Sequence, residues 1–402
     1  MKKGLLYYRI PVHTPDWHKM RTTGLTAQQA QAYDMPTYQG GIGASEIATI
    51  IGLSDKYRPV PQEIFHFKVG SLIPPKWDNA AAFHGRKLEP YVKDLWQCSD
   101  GTETGYIAIY EKWETAPAGE KSQHLTRRAR KVNAVLINPD YKHLSVNLDY
   151  EAVQGAVCMM PEHSIYAQGE IVPGGFPLEI KTIGGMAARV WETGIPVEYV
   201  AQINQQMLVT GTKYAELALF ELGDKRRFET YYFERNDELC NRIVVQGKIF
   251  WDKVLEARKI YAQIMAYNAE GNYTRDDELM SYITALEPPV DTNESYKDYY
   301  SERYQKEIEF MPGGEALYLM AKKHKFLTAL IKKFTALKSL ATNVMTEKFL
   351  ANKVEKMIFD SEGKDYVRYY KKGAKFMLDN RVKFKPDDDD VQEEVDKVNL
   401  LI

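Results

Sequence analysis

The chain has 402 residues, a formal net charge of −2 and an apolar share of 44%. That length suits two or three domains with real cores. The charge balance excludes a globally basic surface, so any contact with nucleic acid has to be local. Three cysteines, Cys98, Cys158 and Cys240, lie far apart and form no CxxC pair, which argues against a zinc ribbon or a cysteine-held cluster. Few unpaired cysteines suit a reducing cytoplasm, and no apolar run approaches a membrane span. The start, "MKKGLLYYRIPVH", has a basic pair, but Pro11 cuts its apolar part short; it reads as no signal peptide.

Residues 1–40 look loosely organised. "GGIGASEIATIIGLSDKYRPVPQEIFHFKVG" then gives a Gly-rich turn, a short helix from about Ser45, a Pro-broken loop and a second helix ending at Gly70. A third helix covers "NAAAFHGRKLEPYVKDLWQ". Residues 105–185 turn to β-branched and aromatic alternation: "GYIAIYEKW", "ARKVNAVLI", "LSVNLDYEAV", "HSIYAQGEIV" and "FPLEIKT" read as strands of one sheet. "PVEYVAQINQQMLVTG" returns to helical spacing, with Val200, Ile203 and Met207 as the core stripe and Gly211 as the stop. "YAELALFEL" and "RFETYYFER" pair across "GDKR", and "DELCNRIVVQGKIFWDKVLEARKIYAQIMA" is a long amphipathic helix. The order predicts a mixed α/β domain over 40–268, after an N-terminal segment, 1–39.

Residues 269–314 show no clean period and read as a linker or arm. A long helix follows from about Glu315 to Val354, with Met320, Leu327, Phe334 and Ala341 at heptad spacing and Leu330, Leu337 and Val344 three residues on. It reads as an intramolecular or antiparallel packing helix. Two or three strands follow, turning at "DSEGK" and "KKG", so that 315–385 form a helix plus a small sheet. The acidic end, 386–402, reads as disordered.

The residue pattern that carries chemistry starts at "FPLEIKT". On a strand, Glu179 and Lys181 share one face while Leu178 and Ile180 share the other. An ordinary amphipathic edge explains this, and so does a metal site in which Glu179 holds a hard cation and Lys181 touches a phosphate or the attacking water. Asp149 leaves the polar face of "LSVNLDYEAV", thirty residues upstream. Two acids on neighbouring strands make a metal cradle, but a salt bridge from Asp149 to Lys181 accounts for the pattern equally well. Glu89, one turn after Gly85 on a helix, is a further acid, with Arg86 and Lys87 beside it; solvated helix surface is the simpler reading of these three. Ser45 in "GGIGASE" marks either an anion nest for a terminal phosphate or a plain helix N-cap. Gln202, Gln205 and Gln206 lie off the core stripe of their helix, where solvated amides are the default. Eight histidines form no metal-ligand spacing.

Taken in order, "GIGASEIATIIG", "GRKLEP", "NLD", "LEIKT" and "YVAQINQQMLVTG" resemble the YqaJ-type viral recombinase domain. That domain is related to lambda-type exonucleases within the PD-(D/E)xK nucleases, and the resemblance covers about 40–260. It implies a restriction-endonuclease-like core: a central mixed sheet flanked by helices, carrying a long C-terminal helix and a small β appendage. It further implies a Mg²⁺ site, with Mn²⁺ as a substitute, held by Asp149, Glu179 and the Ile180 carbonyl. Glu89 would reach a second metal or its water. Lys181 would orient the attacking water or stabilise transition-state charge, Gln202 would support the site, and Ser45 and Arg86 would contact DNA phosphate. "DWHKMR" resembles the family's opening segment, which implies Arg21 as a phosphate clamp, although residues 22–40 separate it from "GIGASE". The implied activity is 5′ to 3′ resection of linear duplex DNA, feeding a single-strand annealing protein in the cytoplasm of a phage-carrying bacterium, with a ring trimer as the assembly. An endonuclease on the same fold and a non-catalytic DNA-end-binding protein are the alternatives. In this sequence the acid sits in "NLDYEAV" where the family has Pro-Asp-Gly or Leu-Asp-Gly.

Overall fold

The computed structural model describes residues 4–10, 14–54, 59–74, 80–99, 105–154, 170, 172–191, 194–222, 227–290, 295, 299, 319–328, 330–332, 334–335, 356–361, 364–372 and 375–378. The chain divides into two units, Met1–Gln305 and Lys306–Ile402.

In the first unit the described residues of the N-terminal stretch form regular elements, contrary to their loose appearance in sequence. β1 (Leu6–Tyr8) joins a sheet, and α1 (Pro15–Arg21) starts at a Thr14 hydroxyl that accepts the Trp17 N–H. α2 (Ala27–Ala32) opens with a capping box of Thr26 and Gln29. A few apolar residues spaced through polar sequence, among them Tyr8, Trp17, Met20, Leu25 and Tyr38, close a small core here. β2 (Ile42–Gly43), α3 (Ile47–Ile50), α4 (Pro61–Val69) and α5 (Ala80–Cys98) follow.

"GYIAIYEKW" is a helix, α6 (Gly105–Thr115), and not a strand. Its aromatic residues satisfy both periods. The helical one wins because Tyr106, Tyr110 and Trp113 recur one turn apart; Tyr106 packs on Phe228, and Tyr110 on Tyr91. Two other expected strands split. "ARKVNAVLI" becomes β3 (Arg128–Lys131) and β4 (Val135–Ile137), and "LSVNLDYEAV" becomes β5 (Leu144–Asn147) and β6 (Tyr150–Gln154). Each split carries the chain between two sheets, so the strands do not form one sheet. The first sheet runs β1-β4-β5-β2, with β2 parallel to β5. The second runs β3-β6-β7-β8-β9, from β7 (Phe176–Ile183), β8 (Tyr214–Glu221) and β9 (Phe228–Glu234), with β7 and β8 parallel and the other pairs antiparallel. Most of "HSIYAQGEIV" lies outside the described residues.

α7 (Gly185–Trp191) and α8 (Val197–Thr210) fill the β7–β8 crossover, which a parallel pair requires. α8 packs on β4 and β5 of one sheet and on β7 and β8 of the other. It is therefore buried almost all round, glutamines included. α9 (Asp237–Ala269), capped by the Asn236 side chain, packs along α3, α4 and α8. α10 (Asp276–Leu286) lies on α9 through Leu279 and Ile283, so part of the expected arm is a packed helix. α5 is tied to β8 by Trp96 Nε1, which donates to Glu216 Oε2 at 2.7 Å, and Arg127 Nη1, just before β3, donates to the same oxygen at 2.7 Å.

In the second unit, residues 319–328 and 330–332 are helical, and Met320, Leu327 and Phe334 are exposed. Leu337, Ala341, Val344 and the acidic end lie outside the described residues. β10 (Lys356–Ser361), β11 (Lys364–Lys372) and β12 (Lys375–Leu378) form an antiparallel meander. Among the described residues no helix is long and apolar enough to cross a membrane.

Candidate active site

β7 lies in the middle of the second sheet, and its alternation sets the site. Leu178 and Ile180 enter the apolar cluster with Val92, Trp96 and Phe176. Glu179 and Lys181 take the other face, which α8 covers. Glu179 is 2% exposed. Its Oε1 accepts from Lys181 Nζ at 2.5 Å and from Gln202 Nε2 at 2.6 Å, and its Oε2 accepts from Gln206 Nε2 at 2.6 Å. Gln202 and Gln206 stand one helical turn apart, so one helix face presents both amides. Lys181 Nζ also lies 4.9 Å from the centre of the Tyr199 ring. Burial alone pulls the Lys181 ammonium down; Glu179, Asp149 and Tyr199 overcome this and hold it above its ordinary range.

Asp149 sits where the chain leaves β5 for β6. Its Oδ2 accepts the Ile180 N–H at 2.9 Å. The neighbouring strand thus brings the two acids together, and Lys181 pairs with Glu179 on its own strand instead of with Asp149. Burial first, and then the Glu179 charge, push the Asp149 carboxyl well above the usual carboxylate range; Lys181 opposes this and Glu89 adds to it. Glu89 projects from α5 just before Pro90, which cannot donate to the Arg86 carbonyl. It is half-buried and pairs with Lys131 of β3. Arg86 is half-buried three residues before Glu89, and open space faces Gly85.

Ser45 neither caps a helix nor starts one. α3 is a single turn whose N-cap is Glu46, so a helix-dipole argument for a phosphate there falls away. The Ser45 side chain is exposed, and Arg21 Nη2 approaches its Oγ at 3.5 Å. The intervening residues do not separate the two. They leave and return at one point, where the Leu25 N–H donates to the Tyr38 carbonyl at 2.7 Å. Gly24 and Gly40, both at positive φ, make the crossing: a Cβ on Gly24 would fall 2.1 Å from the Tyr38 carbonyl oxygen, and one on Gly40 would fall 2.3 Å from that of Thr22.

Residues 16–213, which contain every one of these groups, match the family model described as the YqaJ-like viral recombinase domain. This stretch is a YqaJ-like viral recombinase domain. Among curated proteins none matches the chain. Similar solved structures include an alkaline exonuclease (LHK-Exo) from Laribacter hongkongensis, at 16% identity over 56% of this chain and 93% of that one, with a TM-score of 0.36. The same enzyme in complex with dAMP gives a TM-score of 0.37 at 16% identity and the same coverage. A phage-related exonuclease from Haemophilus somnus 129PT gives 0.27 at 12% identity, over 54% of this chain and 95% of that one.

Among the described residues of the YqaJ-like domain, no three histidine, cysteine or carboxylate side chains converge as a ready-made metal cage. The donor set still fits Mg²⁺, which takes hard oxygens from one or two carboxylates and keeps several waters. Asp149 and Glu179 supply two such carboxylates; burial first and the Glu179 charge second raise Asp149, and a divalent cation offsets both penalties.

Several groups at the site escape a sequence reading. Gln206 and Gln205 are fully buried, the latter donating from α8 to the carbonyls of Ile42 and Ser145 at 2.9 and 3.1 Å. The run "QINQQ" inside a helix between two sheets was the available signal. Lys131 had none beyond lying on a basic strand, "RRARK". Tyr199 stands one turn before Gln202, a spacing that marks it as a companion on the same helix face.

Proposed function

We propose that the chain is a metal-dependent deoxyribonuclease that resects linear duplex DNA from its 5′ ends, leaving single strands for phage-type recombination. The observation that carries this reading is the floor of β7: Glu179 and Lys181 side by side, Asp149 just before the adjoining strand β6, and two amides from α8 on Glu179, all within a YqaJ-like viral recombinase domain. Asp149 and Glu179, with the Ile180 carbonyl, would hold Mg²⁺ or Mn²⁺, and Glu89 would reach a second ion or its water. Such an ion, when bound, lowers the pKa of water and stabilises charge on phosphate oxygens.

The chain's own groups do the rest. Gln202 and Gln206 hold the Glu179 carboxylate in one orientation, since both its oxygens are engaged. The Lys181 ammonium, held charged by its acidic neighbours, orients the attacking water or stabilises the charge that develops on the phosphate. Arg21 and Ser45 converge on one exposed place and receive the 5′ phosphate, and Arg86 contacts the backbone. The reading carries with it the cytoplasm of a phage-carrying bacterium, a single-strand annealing partner and a homo-oligomer, for which a ring trimer is the proposed form.

A duplex labelled at one 5′ or one 3′ end, digested with and without Mg²⁺, tests activity, metal need and direction together. Loss of 5′ label as mononucleotide, only with metal, is expected. Cutting of closed circular DNA would instead favour an endonuclease. Binding of ends without turnover in Mg²⁺ or Mn²⁺ would overturn the enzymatic reading.

A further inference from the structure

Beneath the turn that carries Ser45 lies a charge pair that the chemistry at Glu179 does not use. Lys68, in the last turn of α4, is 0% exposed. Its Nζ donates to Glu46 Oε2 at 2.7 Å and to the Arg21 carbonyl at 2.6 Å. The same Glu46 oxygen accepts the Gly43 N–H at 2.7 Å. From α9, Arg258 donates to the carbonyls of Lys68 and Thr22, each at 2.8 Å, and to that of Gln39 at 2.5 Å. One buried ammonium therefore holds both the backbone of Arg21 and the carboxylate that shapes the turn before Ser45.

The crowding around Gly43 shows what this arrangement prevents. A Cβ there would lie 3.1 Å from Arg21 Nη2 and 3.1 Å from Glu46 Oε2. The guanidinium and the carboxylate are thus close neighbours. Left alone, a carboxylate beside a guanidinium forms a bidentate pair, which would cancel the charge available to a phosphate. In the structure the Arg21 guanidinium instead lies over the Trp17 ring, 4.7 Å from its centre, and reaches Ser45. Burying an ammonium is costly, and removing one partner of such a pair leaves an uncompensated charge. A lysine placed here serves a geometry that a hydrophobic residue would not.

We propose that Lys68 and Glu46 are positioning residues for phosphate recognition: Lys68 engages the Glu46 carboxylate, so that Glu46 fixes the Gly43–Ser45 turn and leaves the Arg21 guanidinium free for the terminal phosphate. The proposal rests on the reading of Arg21 and Ser45 as the 5′-phosphate site. It goes further in assigning the specificity for a phosphorylated end to a pair, anchored by a buried lysine, that touches no substrate.

The test compares digestion of the same linear duplex carrying a 5′ phosphate or a 5′ hydroxyl, in the full chain. Lys68→Met frees Glu46 to capture Arg21, and the phosphate-over-hydroxyl rate ratio should fall about tenfold to a hundredfold, the usual cost of a small misplacement. The double variant Lys68→Met with Glu46→Gln removes the competing charge and should bring the ratio back to within about threefold of the unmodified chain, on the scale of a single neutral hydrogen bond. A merely structural role would not produce that rescue. Should Lys68→Met fail to fold, Glu46→Asp takes its place: it keeps the charge but cannot span Gly43 and Lys68 together, and the ratio should again fall. Ser45→Ala and Arg21→Ala separate the two claims. If they leave the ratio unchanged, the phosphate site lies elsewhere and the underlying reading fails. If they abolish it while Lys68→Met or Glu46→Asp keeps it, or the double variant shows no rescue, the positioning role is overturned.

Discussion

Lys181 with Glu179 and Lys68 with Glu46 are chemically the same pair, in two regions of one domain, with inverted exposure. On β7 the carboxylate is 3% exposed and the ammonium 22%. Beside β2 the ammonium is 0% exposed and the carboxylate 20%. A side chain meets a ligand as large as DNA only from an end that solvent can reach. The β7 pair offers its lysine outward, fit for a phosphate, and braces its glutamate with amides. The β2 pair turns its lysine inward on a backbone carbonyl, fit for setting the chain path. The difference teaches that a lysine–glutamate pair is read by which member faces out, since the contact distance alone is nearly the same.

The comparison can be broken most forcefully at the β7 pair. Lys181→Ala should lower turnover on linear duplex by about a thousandfold, as loss of a preorganised charge does, and should destabilise by a smaller margin than loss of Glu179, because the buried carboxylate loses its counter-charge but keeps its two amide donors. Glu179→Ala should cost at least as much activity and also destabilise by roughly 3–5 kcal/mol, because Lys181, Gln202 and Gln206 lose a buried acceptor; calorimetry separates the two variants. An intermediate effect is expected at Gln206→Ala. One Glu179 oxygen then lacks a donor, which costs about 1–3 kcal/mol of stability and roughly tenfold in rate, read by steady-state kinetics.

Asp149 sharpens the comparison through pH. Its folded pKa is raised from an unfolded value near about 4, so the stability it contributes is complete below that value and is lost as pH rises through the raised one. The melting temperature of the metal-free protein should therefore decline as pH rises through that window. Asp149→Asn should flatten the slope, and added Mg²⁺ should offset the loss. A flat profile for the unmodified, metal-free chain would contradict the burial of Asp149 and, behind it, the repulsion from Glu179. The smallest effect belongs to Lys131, which leans on Glu89 and on the Tyr150 ring at 4.7 Å. If it also touches DNA, Lys131→Gln should reduce the salt dependence of end binding by about one unit of slope, measured by titration from low to moderate salt.

What could be read in advance follows the range of the physics. The shared face of Glu179 and Lys181 needs only the period of a strand, so "FPLEIKT" declares it. Asp149 was legible as a polar exit from "LSVNL", but the sheet change at that point was not, because nothing local distinguishes a long strand from two short ones meeting at a crossing. Gln205 and Gln206 read as solvated because helical periodicity assumes one wet face, whereas α8 lies against two sheets. Lys68 reads as an ordinary lysine in the last turn of a helix, where a cation suits the dipole. Its partners Glu46, Arg21 and Arg258 are distant in sequence, and only tertiary packing assembles them. The aromatic residues of α6 satisfied two periods at once, and partner rings on Tyr91 and Phe228 decided between them.

The crossing at Gly24 and Gly40 has a practical consequence. A strap that departs from and rejoins a surface at one place adds length without adding distance between its neighbours. Around Asp34, at φ 50°, the strap is tied to α1 by Tyr33 and Gln29, which both donate to Asp16 at 2.8 Å, and it leaves Asp34, Pro36 and Thr37 exposed. A fluorophore or an affinity handle grafted at Pro36 or Thr37 would report on the molecule while Arg21 and Ser45 kept their separation, because the strap rejoins the surface where it left and is held there by its own packing on α1.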